Sequence, residues 1–182
     1  MEMRLKDKVA LITGGASGFG KETARLFKEH GANVFISDIN SERGKTVAKE
    51  LDIDFFEHDV TDSKRWEEVI SGIEGKAGSL NILVNNAGIG FISDVESTSE
   101  KDWELVHKVD LDSVFLGCKY ALPLMRKSGN GSIINISSIS GIVAGHNFAA
   151  YNSAKAGVRH LSKSVALHCA RTTDLVRCNS IH

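Results

Sequence analysis

The chain has 182 residues and a mass of 19.7 kDa, the size of one domain, since hydrophobic cores divide only beyond about 250 residues. Hydrophobic residues at 42% and charged residues at 25% exclude a chain disordered throughout, because ample apolar side chain is available for burial. Lys and Arg number 22 against 23 for Asp and Glu, and a net charge of −1 gives no electrostatic ground for nucleic acid or an anionic membrane as partner.

Strand-like and helix-like segments alternate from the start. The charged residues 1–8 run straight into an apolar strand over 9–12, which leaves no room for a signal peptide. A helix is predicted over 18–30 with Gly31 as its stop, a strand over 33–37, a helix over 41–51 and a more polar, edge-like strand over 53–58. A helix over 62–76 with Thr61 or Asp62 as N-cap leads to a strand over 81–84. One long helix is predicted over 99–127, with Ser99 and Asp102 as a capping pair and Pro123, the only proline, kinking or shortening its end. A strand over 132–137, a helix over 151–170 and a strand over 175–179 complete the chain.

The strands are continuous apolar runs, as strands buried on both faces are, and parallel sheets are usually buried on both faces. Short links between alternating strands and helices imply right-handed crossovers. The expected fold is α/β, a doubly wound parallel sheet of the Rossmann type, in a single domain over 1–182. No run of 18 apolar residues offers a membrane span. Three cysteines, Cys118, Cys169 and Cys178, are odd in number and far apart in sequence, which fits reduced thiols in a cytoplasmic protein.

The segment Thr13-Gly14-Gly15-Ala16-Ser17-Gly18-Phe19-Gly20 joins the first strand to the first helix. Free N–H groups and the positive dipole end at a helix start favour a phosphate, and glycines let the backbone approach it. The pattern is T-G-x-x-x-G-x-G, not G-x-G-x-x-G from Gly18, since residue 23 is Thr. Gly14, Ser17, Gly18, Phe19 and Gly20 are therefore candidate dinucleotide contacts. Asp38 follows Gly20 by 18 residues, at the end of the second strand and beside Ile39. A carboxylate there accepts hydrogen bonds from adenosine ribose hydroxyls and repels a 2′-phosphate. With no Lys or Arg at 15–19 or 37–41, NAD is the expected cofactor over NADP.

Tyr151 and Lys155 lie four apart at a helix start and so share a face. A tyrosine hydroxyl, with a pKa of about 10, is a poor base at neutral pH, and a nearby ammonium makes it a better one. Ser138 lies 13 residues before Tyr151, at the carboxyl edge of the fifth strand, where a hydroxyl can stabilise charge on a substrate oxygen. Asn85-Asn86-Ala87-Gly88 ends the fourth strand at the same edge.

These motifs together resemble the short-chain dehydrogenase/reductase family. The glycine loop, Asp59-Val60, Asn85 to Gly88, Ser138, Tyr151-x-x-x-Lys155 and Asn179-Ser180-Ile181 stand in that family's order over nearly the whole chain. The resemblance implies NAD(P)-dependent oxidation of alcohols or reduction of ketones. It implies Tyr151 as general acid/base, Lys155 on the nicotinamide ribose, and Ser138 on the substrate oxygen. Asp59 and Val60 would meet the adenine, while Asn86, Ala87 and Gly88 line the adenosine and ribose path. It also implies a homotetramer or homodimer formed through helices 99–127 and 151–170.

Two positions depart from the pattern. Asp110 stands where the family commonly has an Asn that completes a proton relay to the lysine. An ionised Asp accepts but does not donate. It either holds the relay water, or weakens the effect of Lys155, or simply occupies the helix. The chain also stops at Ile181-His182, where the family continues with a substrate loop, another helix and an edge strand. The sequence is thus expected to be part of a longer chain.

Apolar residues Ile142, Val143, Ala144 and Phe148 next to the chemistry point to a hydrophobic cyclic or steroid-like alcohol or ketone, although ordinary loop packing explains them equally. The alternative reading is an NAD-binding regulatory or degenerate protein without turnover. Seven histidines show no metal-ligand spacing, so no metal is expected and surface or helix-face positions are assigned to them; His146, between Ser138 and Tyr151, is the one that can face substrate. Trp66 and Trp103 are read as packing residues.

Overall fold

The computed structural model describes residues 3–172 and 175–182. Six strands form one parallel sheet in the order β3-β2-β1-β4-β5-β6: β1 Val9–Thr13, β2 Asn33–Asp38, β3 Asp54–Glu57, β4 Ile82–Asn85, β5 Gly131–Ile136 and β6 Val176–Ile181. The helices are α1 Gly18–Glu29, α2 Ser41–Leu51, α3 Ser63–Ala77, α4 Glu100–His107, α5 Ser113–Lys127 and α6 Ala149–Arg171.

Alternate residues of each central strand feed two cores. Ala10, Ile12, Val34 and Ile36 pack with Ala24 of α1 and Val47 of α2 on one face. Val9, Leu11, Phe35 and Leu83 pack with Trp66 of α3, Val114 and Met125 of α5 and Val158 of α6 on the other. Burial on both faces is why β1 reads Val-Ala-Leu-Ile and β4 Ile-Leu-Val before the buried polar residues Thr13 and Asn85 that end them. β3 lies at a sheet edge, with Asp54, Phe55 and Phe56 only partly buried and Glu57 exposed.

The helix starts follow their capping residues. Asn40 accepts from Arg43 N, Asp62 from Lys64 N and Arg65 N, and Ser99 Oγ both accepts from Asp102 N and donates to the Asp102 carboxylate. Gly31 follows α1 with a φ of 90°, in the left-handed region where glycine avoids a Cβ clash.

The expected helix over 99–127 is not continuous. A π turn, Lys108–Asp112, separates α4 from α5. Apolar residues continue through it, so the sequence pattern hides the break. Nor does Pro123 end the helix: α5 runs on to Lys127, held by the buried side chains of Leu122, Leu124 and Met125. The cysteines, distant in sequence, are all buried, and Asn135 Nδ2 lies 4.0 Å from Cys118 Sγ and 3.5 Å from Cys178 Sγ.

No helix among the described residues is long and apolar enough to cross a membrane. The strand order reverses at β1, between β2 and β4, which opens a crevice at the carboxyl ends of the strands.

Candidate active site

Two clefts lie along that crevice and share Phe19, Asn86, Gly88 and Ile89. The first, of about 430 Å³, is lined by Gly14, Ser17, Gly18, Phe19, Asp38, Ile39, His58, Asp59, Val60, Asn86, Ala87 and Gly88, together with Ile89 and Val109. The second, of about 590 Å³, is lined by Asp110, Ser138, Tyr151 and Lys155, with Gly90, Ile136, Ser137 and Phe148. Every site residue read from the sequence therefore faces this trough except Gly20. That residue is buried, and a Cβ on it would clash with Gly14 O. Its role is to let α1 close on the loop.

The glycine loop is fastened from three sides. Gly15 N donates to Ser37 O at 3.0 Å and Ala16 N to Asp38 Oδ2 at 3.0 Å. Asn86 Nδ2 donates to Thr13 O at 2.9 Å and Gly14 O at 3.2 Å. Thr13 Oγ1 accepts from Asn86 N and Ala87 N, both at 3.0 Å. Thr13 thus ties the loops after β1 and β4 together, a role that its place at a strand end did not signal.

The α1 end of the cleft suits an anion. Ser17, at the N-cap of α1, makes no side-chain cap bond, and the first turn carries no acidic residue. The N–H groups there retain their donors and their positive dipole end. A Cβ on Gly18, at φ +52°, would meet nothing within 4 Å, so a side chain there would stand in the cleft instead. A dinucleotide's pyrophosphate fits these donors, and Asp38, whose carboxylate accepts from Ala16 N, lines the same cleft beside Ile39.

In the second cleft, Lys155 is buried, with its Nζ 3.0 Å from Ile136 O and 3.1 Å from Asp110 Oδ2. The Asp110 contact is an ion pair and not a well-aligned hydrogen bond, since Oδ2 has no hydrogen-bond partner of good geometry. The other carboxylate oxygen, Oδ1, accepts from Ile89 N at 2.7 Å. Asp110 is wholly buried, and that burial pushes its carboxyl above the usual carboxylate range, against the opposing pull of Lys155 and of the Ile89 N–H. The π turn is what brings Asp110 inward to this position.

Lys155 Nζ lies 5.5 Å from the centre of the Tyr151 ring. Ser138 caps a short 3-10 turn, Ile139–Gly141, with its Oγ accepting from Ser140 N at 3.1 Å. Ser137 Oγ donates to Lys155 O at 2.8 Å and so ties the end of β5 to α6. The loops after β4 and β5 are also joined: Ser93 N donates to Asn147 O at 2.9 Å and Ala149 N to Ser93 O at 3.2 Å. Both loops expose large apolar side chains, including Phe91, Ile92, Val95, Ile139, Ile142 and Val143. His146 is exposed on the second of them and lines neither cleft.

His58 departs from the surface position expected for the histidines. It is 1% exposed, its Nδ1 lies 3.0 Å from Ser37 Oγ, and burial, with Arg65 adding to it, pushes the imidazole down to about 4. Among the described residues, no three His, Cys, Asp or Glu side chains stand together as a metal site.

The family described as short chain dehydrogenase matches residues 8–182. The chain is 41% identical over 184 residues to the 3-beta-hydroxysteroid dehydrogenase of Comamonas testosteroni, covering 100% of this chain and 72% of that protein. It is 40% identical over 187 residues to the NADP-dependent (R)-specific alcohol dehydrogenase of Lentilactobacillus kefiri, covering 100% of this chain and 74% of that one. A solved short chain dehydrogenase from Mycobacterium smegmatis superposes with a TM-score of 0.92 at 34% identity, over 97% of this chain and 76% of the other.

Proposed function

The chain belongs to the short-chain dehydrogenase family, and from that membership we propose a cytoplasmic, NAD-dependent dehydrogenase that interconverts a secondary alcohol and its ketone. The observation that carries this reading is the meeting of Ser138, Tyr151 and Lys155 on one cleft that continues into the glycine-loop cleft. The cofactor, when bound, supplies the hydride acceptor for oxidation and the hydride donor for reduction. Its pyrophosphate would lie on Gly14, Ser17, Gly18 and Phe19, its adenosine against Asp38, Ile39, Asp59 and Val60, and its nicotinamide ribose on Lys155. Asn86, Ala87 and Gly88 would form the floor between.

In oxidation, Tyr151 accepts the alcohol proton on its phenolic oxygen, and in reduction it returns that proton to the ketone oxygen. Ser138 donates a hydrogen bond to the same substrate oxygen as charge develops there. Lys155, fixed by Ile136 O and Asp110, supports the phenolate with its positive charge. Asp110 holds that ammonium in place.

A carboxylate at Asp38, with no Lys or Arg at 37–41, favours NAD, although the Lentilactobacillus relative is named NADP-dependent. The exposed apolar side chains on the two joined loops favour a hydrophobic cyclic or steroid-like substrate, and the Comamonas relative is named for a hydroxysteroid. The groove between α5 and α6, lined by Phe115, Leu122, Pro123 and Leu161, favours a homodimer or homotetramer.

The test is reduced-nicotinamide formation with NAD and a panel of cyclic secondary alcohols and hydroxysteroids, beside Tyr151→Phe. Turnover by the wild type that falls about 10²- to 10⁴-fold in the variant, with NAD binding retained, is the expected result. NAD binding without turnover on any alcohol would support a regulatory protein instead.

A further inference from the structure

The first cleft has a buried support that the proposed chemistry does not use. Trp66, on the second turn of α3, is 0% exposed, and its Nε1–H donates to Val60 O at 2.9 Å. His58 stands edge-on to the Trp66 ring, with centroids 4.5 Å apart and planes at 86°. The His58 backbone N–H donates to Asp38 O at 2.9 Å, while its ring contacts Ser37 Oγ. Residues 58–60 are therefore pinned to β2 at one end and to α3 at the other. The same end of β2 also holds the glycine loop, through Ser37 O and the Asp38 carboxylate. Both walls of the cleft hang from one strand end.

His58 Nε2 is buried with no hydrogen-bond partner. An unsatisfied buried nitrogen is costly, and an apolar side chain would fill the same space without that cost. Its presence beside a cleft that it lines is explained if the imidazole fixes the cleft wall.

We propose that Trp66 and His58 form a buried bracket that sets the Asp59–Val60 wall against the purine base of the cofactor, so that both are positioning residues for the adenylate half of the ligand. The proposal rests on the dinucleotide reading of the cleft. The bracket acts on adenine affinity and leaves the proton-transfer cleft alone.

The experiment uses AMP and NAD as probes, with nicotinamide mononucleotide, which lacks the adenylate, as control. Trp66→Phe keeps an aromatic ring but removes the N–H that holds Val60 O. Calorimetry is expected to show AMP and NAD each bound about tenfold more weakly, or 1.4 kcal/mol, with nicotinamide mononucleotide unchanged. In steady-state kinetics the loss falls on KM for NAD. A second measurement leaves the bracket intact. The chain has two tryptophans, so Trp103→Phe makes Trp66 the only indole, and its emission is expected to change on AMP titration but not with the mononucleotide. Should Trp66→Phe fail to fold, this titration decides alone. Equal AMP affinity in wild type and Trp66→Phe, or a Trp66 emission blind to bound AMP, overturns the bracket. Failure of the wild type to bind AMP or NAD at all overturns the cofactor reading together with it.

Discussion

Lys155 and Asp110 form an ion pair, 3.1 Å from Nζ to Oδ2, with side chains 5% and 0% exposed. The carboxylate offsets part of the field that the ammonium exerts on Tyr151. Asp110→Asn removes that negative charge while keeping an acceptor for Ile89 N. The pH–rate profile of alcohol oxidation is expected to differ from that of the wild type. Superimposable profiles would remove the carboxylate from the mechanism.

The same pair sets a stability expectation. Lys155→Met leaves Asp110 as an uncompensated buried carboxylate, and breaking a buried pair in this way costs about 3–5 kcal/mol. In urea unfolding, the double variant Asp110→Asn/Lys155→Met should recover most of that loss while remaining inactive. A double variant no more stable than Lys155→Met would show that the lost stability lies in packing, not in charge.

Asp38 has two duties. Its Oδ2 accepts from Ala16 N and its Oδ1 from Asn40 N, at 3.0 and 2.9 Å. Asp38→Ala should therefore weaken NAD both by losing a ribose acceptor and by loosening the glycine loop. The 2′-phosphate of NADP loses a repulsive neighbour at the same time. The expected result is a fall of about tenfold or more in the NAD-over-NADP affinity ratio, or 1.4 kcal/mol. Tighter NADP binding by the wild type would overturn the assignment.

His58 makes stability depend on pH in a defined window. Burial lowers the imidazole from its ordinary 6.5 to about 4 in the folded protein. Below 6.5 the unfolded chain takes up a proton that the folded chain does not. This contribution is intact above pH 6.5 and falls progressively toward pH 4, by about 3 kcal/mol in all. His58→Gln, which does not titrate there, should flatten the urea-derived stability curve between those values relative to wild type.

What could be read from the sequence was whatever local spacing determines. Tyr151 and Lys155 share a face because they are four apart on α6, and Asp38 reaches the cleft because it ends a strand next to β1. The continuous apolar runs of β1 and β4 already implied a sheet covered on both faces. Tertiary placement carried the rest. His58 and Trp66 meet only because β3 sits beside β2 and α3 returns beneath it, and a lone His and a lone Trp eight residues apart have no spacing signal. Thr13 joins two loops that are more than 70 residues apart in the chain. The break at 108–112 was hidden because the apolar residues Val109 and Leu111 continue the pattern through it.

That π turn takes up one more residue than an α turn would, and each residue advances an α-helix by about 100°. Between Glu100 and Lys127 the chain therefore behaves as two helices deliberately out of phase. Deleting Lys108, Val109, Leu111 or Asp112 would heal the helix, and on propensity alone such a change looks harmless. It would also swing Val114, Cys118 and Ala121 off their core partners and draw Asp110 away from Lys155. In this segment, length is constrained together with the identity of Asp110: an insertion or deletion of one residue disconnects the lysine from its counter-charge.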